Sequence, residues 1–296
     1  MTNNTDKIKL VDLDHSTYKV NSYLEGGKRL VANNPNRFVY MDNELTASLG
    51  KLSHIEQKLF DYCVSLIKET DQIDDVYRIK VADILKAFKI NKSGKNMNLV
   101  LNSFIEMLNE YVFIWDGEEK IFRLYHFFKD GVTGYFPEEC LVQFAFTDYM
   151  YPYLYSLKKN YTAYPIAINN LFSSKYAIIF YRFWASNDRA NLKKVILSGC
   201  IDSWGRIFGI ADKRGKLSRT VADFKQRVLS PALKEMKKYF KLYDFNLEAV
   251  KSGRKIVGYK LIITKDDQIL SSKFPVPDML AYGTHKFLKK GYRNKK

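Results

Sequence analysis

Apolar positions fall at helical spacing in two separate stretches of the chain, and each stretch runs into a strand–turn–strand signal. From Leu52 to Ile67 the positions Leu52, Ile55, Leu59, Tyr62, Cys63, Leu66 and Ile67 recur at three- and four-residue intervals. Ser53 stands before them as an N-cap with Glu56 three residues on. A short helix is predicted over Val81–Phe88 and a longer one over Asn96–Glu110, with Val100, Leu101, Phe104, Ile105 and Leu108 on one face. YVFIW, the turn Asp116-Gly117-Glu118-Glu119 and KIFRLYHFF then read as an aromatic-rich hairpin, with LVQFAF at 141–146 as a third strand.

The second half repeats this order. Tyr176–Trp184 is an apolar helix and Ile201–Phe208 a shorter one. Thr220–Leu229 opens on Thr220 with Asp223 three residues on, a capping-box spacing. Ser230-Pro231 either kinks that helix or starts another, with Ser230 as N-cap, running to about Tyr239. DFNLEAV, the turn Lys251-Ser252-Gly253-Arg254 and KIVGYKLII form a second hairpin. At an offset of 128 residues Leu101 falls on Leu229, Phe104 on Ala232, Ile105 on Leu233, Leu108 on Met236 and Tyr111 on Tyr239. Phe88-Lys-Ile90 falls on Phe208-Gly-Ile210 at 120.

Three helices and a hairpin make a winged helix-turn-helix, whose last helix enters the major groove while the wing flanks the backbone. The expected fold is therefore α+β, mainly helical, with two tandem winged helix-turn-helix domains related by pseudo-duplication. The expected boundaries are a flexible arm at 1–36, a first winged helix at 37–147, a second at 148–265 and a basic tail at 266–296. Those 296 residues are enough for two domains with real cores.

Charge separates the two copies. Residues 1–147 carry 18 basic and 21 acidic side chains, a net of −3; residues 148–296 carry 30 and 11, a net of +19. Such asymmetry is the electrostatic footprint of a polyanion partner, because cations placed at phosphates release condensed counterions. The first wing, with Asp116, Glu118 and Glu119 against Lys120, would be repelled by phosphate. The second carries Lys251, Arg254 and Lys255, and Lys213, Arg214, Lys216 and Arg219 precede its long helix. The second copy is thus expected to be the primary DNA reader.

With Val221, Phe224 and Val228 buried, an ideal helix turns Arg219, Asp223, Gln226, Arg227 and Ser230 outward, with Lys225 at the edge of the buried arc. Arg227 suits guanine and Gln226 adenine. Arg206 at the end of the preceding helix completes the expected DNA-binding set. Lys89, Lys92, Lys95 and Asn96, near Lys86, form a secondary set in the first copy, which is also the candidate for dimerisation. Val112, Phe113, Ile114, Phe127 and Phe128 are either an interface or core.

Several stretches resemble the initiator replication proteins of theta-replicating, iteron-containing plasmids. They are Asn43-Glu-Leu45 with Leu52-Ser-x-x-Glu-Gln-Lys-Leu59, Tyr153-Leu-x-x-Leu157-Lys-x-x-Tyr161-Thr, Ser174-Lys-Tyr176-Ala-x-x-x-Tyr181-Arg182, Asp223-Phe-Lys-x-Arg227-Val-Leu-x-Pro231-Ala-x-x-Glu235 and Lys251-x-Gly-Arg254. The resemblance spans about residues 37–265. It implies two winged helices, monomers on direct repeats (iterons) at the origin, and dimers on an operator inverted repeat that repress the initiator's own promoter. It also implies a homodimer in equilibrium with monomer, recruitment of a host helicase or initiator protein, and a part in copy control. Gln226 departs from the family pattern, which tends to be basic there.

Other chemistries lack the residues they need. Cys63, Cys140 and Cys200 are too few and too scattered for a disulfide framework or zinc site and fit a reducing bacterial cytoplasm. His15, His54, His126 and His285 are isolated, and Gly209-x5-Gly215-Lys216-Leu217 is one residue too long for a phosphate loop and lacks its Ser/Thr. Asp12-x-Asp14 is a weak carboxylate pair in the polar arm. No catalytic residue, metal or cofactor is expected, nor a signal peptide or membrane span. A double winged-helix repressor without a replication role is the alternative reading, and a tyrosine nickase a remote one.

Overall fold

The computed structural model describes residues 8–10, 37–116, 119–157, 161–187 and 194–265. Apart from the strand at 8–10, the expected arm and tail lie outside the described residues. The chain divides into two compact units, residues 1–48 with 52–170 and residues 49–51 with 171–296.

In the first unit β1 (Ile8–Leu10), β2 (Phe38–Asp42) and α1 (Asn43–Ser48) lead into α2 (His54–Ser65). Next come β3 (Val76–Lys80), α3 (Val81–Ala87), α4 (Gly94–Leu108) and the hairpin β4 (Tyr111–Asp116) and β5 (Ile121–His126). The unit closes with β6 (Gly134–Phe136), β7 (Leu141–Phe144), α5 (Tyr151–Leu154) and β8 (Tyr161–Pro165). Ser53 and Glu56 form the reciprocal capping box that their spacing predicts. Val100, Ser103, Phe104 and Met107 turn α4 into the core, whereas Ile105, expected on that face, is 54% exposed. Strand β7 pairs with β3 and β6 rather than extending the hairpin.

Residues 148–157 and 161–170, expected in the second domain, pack in the first unit. Strand β8 pairs antiparallel with β2, from Phe38↔Pro165 to Asp42↔Tyr161. Behind it, the buried Asp61 carboxylate of α2 accepts hydrogen bonds from Tyr164 Oη, at 2.9 Å, and from Asn169 Nδ2. A buried carboxylate needs such donors, and they fasten this segment to α2.

The second unit holds α6 (Lys175–Asn187), β9 (Lys194–Cys200), α7 (Ile201–Ile207), α8 (Val221–Phe224), a π turn (Lys225–Leu229), α9 (Ser230–Tyr239) and the hairpin β10 (Tyr243–Ser252) and β11 (Lys255–Lys265). Strand β11 lies between β10 and β9, so the wing belongs to a three-stranded sheet. Aromatic rings fill the core: Trp184 meets Tyr243 at 4.8 Å and Phe240 and Phe245 at 5.2 Å between centroids. Trp204 of α7 donates its indole N–H to Tyr259 O at 3.0 Å, tying that helix to β11.

The expected duplication extends to individual hydrogen bonds. Ile90 N–H donates to Leu85 O and Ile210 N–H to Gly205 O, both at 2.9 Å, and Lys89 (φ 56°) matches Gly209 (φ 67°) in the left-handed position that ends each helix. The next helix starts at Ser93 in one copy and at Thr220 in the other. Each side chain accepts the amide three residues on, that of Asn96 or Asp223. These caps are 127 residues apart (220 − 93), whereas buried Val100 and Val228 are 128 apart (228 − 100). The π turn supplies the additional residue.

Ser230 is not an N-cap. It is helical (φ −65°, ψ −43°) and donates its amide to Lys225 O, five residues back, so α8, the π turn and α9 form one continuous helix. Pro231 explains the wider turn, since it has no N–H for Arg227 O and its ring would collide with that carbonyl in a regular α-turn.

Candidate nucleic-acid interface

The loop between α7 and α8 is organised by two carboxylates. Asp212 Oδ1 accepts the amides of Arg214 and Lys216, both at 2.9 Å, while its own amide donates to Lys216 O at 2.7 Å. Asp202, in the first turn of α7, accepts Lys216 Nζ at 2.9 Å and the Leu217 amide at 3.0 Å. The Lys216 ammonium and the Leu217 amide hold the Asp202 carboxyl below the ordinary carboxylate range. The Lys216 and Arg214 amides do the same for Asp212. Both acids therefore carry their charge at neutral pH and fix the loop that bears Lys213, Arg214 and Lys216.

These cations differ in how free they are. Lys213 and Arg214 project into solvent, Arg214 with only a loose approach to Asp212 (3.6 Å), whereas Lys216 is tied to Asp202. Arg206 lies across the loop, donating to Gly215 O at 3.4 Å and Ser203 Oγ at 3.0 Å. Beside it Ser203 Oγ contacts Cys200 Sγ at 3.2 Å, and that contact lowers the thiol's pKa.

On the helix, Phe224, Val228 and Leu229 are buried and Lys225, Gln226, Arg227 and Ser230 are exposed. Phe224 is held between Phe208 (6.0 Å) and Tyr259 (6.2 Å), which anchors the start of the helix to α7 and to the sheet of the wing. Asp223 stands between two arginines: its Oδ1 is 2.6 Å from Arg227 Nε and its Oδ2 3.3 Å from Arg219 Nη1. One carboxylate thus orders two guanidiniums along one side of the helix, leaving the remaining N–H groups of each for a partner. At the tip of the second wing Lys251, Arg254 and Lys255 are all exposed around Gly253, whose φ of 58° closes the turn.

The secondary set is looser. Lys89, Lys92 and Lys95 are exposed around the start of α4, and Asn96 is half-buried, with its side-chain amide turned back to Asn91 O at 2.9 Å. The acidic first wing lies partly outside the described residues; its Glu119 pairs with Arg123 at 2.9 Å.

The apolar residues of the first hairpin divide by face. Val112, Ile114, Phe127 and Phe128 are buried, Phe127 tilted against Phe60 and Phe128 stacked on Phe104, so of the five candidates Phe113 is the exposed one. Sequence reasoning missed its neighbours on that outer face. Tyr111, Phe122 and Leu124 are exposed with Phe113, paired across the strands as Tyr111↔His126 and Phe113↔Leu124. The alternation of β4 and β5 was the available signal, since apolar residues at both parities cannot all face one core.

Among the described residues no group of three or more His, Cys, Asp or Glu is placed to hold a metal, and no helix is long and apolar enough to cross a membrane.

Comparison with known proteins agrees with this architecture. A crystal structure of the Pi initiator protein in complex with iteron DNA superimposes with a TM-score of 0.65 at 20% identity, over 79% of this chain and 99% of that one. Two other likenesses are too distant to bear on the fold. One is the WH1 domain of MSBI1.176, a replication protein isolated from a multiple sclerosis patient (14% identity, 38% of this chain and 86% of that one, TM-score 0.30). The other is domains 2–3 of RctB (11% identity, 84% and 94%, TM-score 0.37). No curated protein matches the chain in sequence. Residues 38–185 match the first winged-helix domain (WH1) of the initiator replication proteins and residues 201–263 match the second (WH2). With both winged helices present and in order, the chain belongs to the initiator replication protein family.

Proposed function

We propose that the protein starts plasmid replication in a bacterial cytoplasm by binding tandem direct repeats at the origin. The second winged helix serves as the main reader, and the first as a weaker grip and dimerisation element. The observation that carries this reading is the contrast between the wings: Lys251, Arg254 and Lys255 are exposed at the tip of β10–β11, whereas the sequence that joins β4 to β5 carries Asp116, Glu118 and Glu119. In this reading Lys213, Arg214, Lys216, Lys251, Arg254 and Lys255 hold phosphates, and Gln226, Arg227 and Ser230 face base edges. Arg206, Arg219 and Lys225 line the same helix-turn-helix, and Lys89, Lys92, Lys95 and Asn96 add the secondary contact. The Pi initiator's complex with iteron DNA supports the choice of ligand.

Repeat binding then assists opening of an adjacent A+T-rich segment, where deformation is least costly, and recruitment of the host helicase. The exposed apolar face of Tyr111, Phe113, Phe122 and Leu124 supports a homodimer that represses its own promoter from an inverted repeat. No catalytic group or cofactor is needed for these steps.

A plasmid lacking its own origin, given this gene and its flanking DNA, is expected to replicate autonomously, and to stop doing so when Lys251 and Arg254 are both changed to Ala. Repression of the promoter by the wild type without any replication would leave only the repressor function.

A further inference from the structure

The π turn changes which residues of the long helix share a face. In an uninterrupted α-helix Phe224 and Leu233, nine residues apart, would point about 180° from each other. Both are nevertheless buried, at 0% and 9% exposure. The i→i−5 turn absorbs about 100° of that rotation, because it holds one residue more than an α-turn. Phe224, Leu229, Ala232, Leu233 and Met236 thereby come onto one side of the helix, all buried.

The same correction moves the exposed side. Without the turn, Lys234 would stand about 80° and Lys238 about 120° around the axis from Gln226. With it, both come within about 20° of Gln226. Ala222, Gln226, Ser230, Lys234 and Lys238 are all exposed and line up along the helix at four-residue steps. Arg219 opens the stripe at one end, and at the far end Lys238 Nζ lies over the ring of its own neighbour Tyr239, at 4.9 Å from the centroid.

We infer that the π turn before Pro231 carries the DNA-facing stripe of this helix onward from Gln226 and Ser230 to Lys234 and Lys238, which grip phosphates. This rests on the reading of the second unit as the DNA reader. The ammonium groups are point charges on flexible stems and carry no base information, so they contribute affinity and salt dependence rather than specificity. The stripe from Ala222 to Lys238 then spans about four turns of helix, with Arg219 before it, Lys234 and Lys238 at its far end, and Gln226 and Ser230 between.

The test is titration of the full chain with random-sequence duplex DNA over a series of salt concentrations, by fluorescence anisotropy. Lys234→Ala and Lys238→Ala are each expected to lower the slope of log affinity against log salt by about 0.9, and the double variant by about twice that. Lys194→Ala, which removes an exposed cation from β9, is the control for net charge and is expected to leave the slope near wild type. Unchanged slopes for the two helix variants, or an equal change in the β9 control, overturn the inference. If Lys251→Ala and Arg254→Ala also leave the slope unchanged, the reading of the second unit falls with it; if they lower it, only the extension to Lys234 and Lys238 is lost. All these side chains are exposed, and unchanged thermal unfolding verifies that each variant is folded.

Discussion

Asp223 is an acid set where phosphates and bases are proposed to lie, and its position between Arg219 and Arg227 gives it a purpose. A carboxylate costs affinity near DNA through like-charge repulsion, yet it holds the Arg227 side chain by its Nε at 2.6 Å and so limits the directions the guanidinium can take. Asp223→Ala is therefore expected to act in opposite senses on two measurements. Affinity for random duplex rises, because a negative charge is gone and two arginines are released. Discrimination between the protein's own repeat and the random duplex falls, because Arg227 is no longer oriented. Arg227→Ala removes the base contact itself and is expected to lose about 1–3 kcal/mol of discrimination at a single base pair. Competition binding with a repeat altered one pair at a time measures both variants. An Asp223→Ala chain that discriminates like the wild type would show that Arg227 is ordered by something else.

The turn that ends α3 and α7 shows what a local pattern can disclose about an element. Phe88-Lys-Ile90 and Phe208-Gly-Ile210 were recognisable as counterparts because a helix stop has a short, local signature, and the same backbone bonds close both. The residue at the left-handed position differs, and so do the consequences of changing it. Lys89 holds φ 56° at a steric cost that glycine would not bear, so Lys89→Gly is expected to stabilise the folded chain by up to about 1 kcal/mol, seen as a higher urea midpoint. The same change removes an exposed cation, so it also lowers affinity for duplex DNA if the secondary contact is real. Gly209→Ala is expected to do the reverse and cost more than about 2 kcal/mol: it forces φ 67° on a residue with a Cβ, and that Cβ would lie 2.1 Å from Gly50 O. What local pattern did not disclose was the π turn. A wheel drawn at a constant angle per residue puts Ile105 in the core and finds no π turn, because nothing in a fixed period allows for an inserted residue or says which of two apolar stripes wins. Pro231 is the visible signal: its pairing with Ser230 is compatible with a kink or a new start, and the structure resolves it as a wider turn within one helix.

At the scale of the molecule, the asymmetry of charge was legible and the division of the chain was not. Counting Lys, Arg, Asp and Glu needs no structure, and it separates a nearly neutral half from a strongly basic one. The boundary depends instead on β8 pairing with β2 and on Asp61 reaching Tyr164 and Asn169, contacts between residues more than a hundred positions apart that leave no periodic trace. The charge asymmetry makes a prediction that neither unit's fold makes alone. If affinity comes mainly from the second unit, removing cations there and in the first unit must have unequal effects. The pair Lys251→Ala with Arg254→Ala is expected to weaken binding to every duplex alike and to lower the salt slope by about one unit per lost contact. Lys92→Ala with Lys95→Ala, two exposed cations flanking Gly94 at the start of α4, is expected to lower it by less, since residues 1–147 carry a net charge of −3 and offer phosphate little net attraction. Measured over the same salt series, equal slopes for the two pairs would mean that both winged helices hold DNA on the same terms, and the assignment of the second as the main reader would have to be given up.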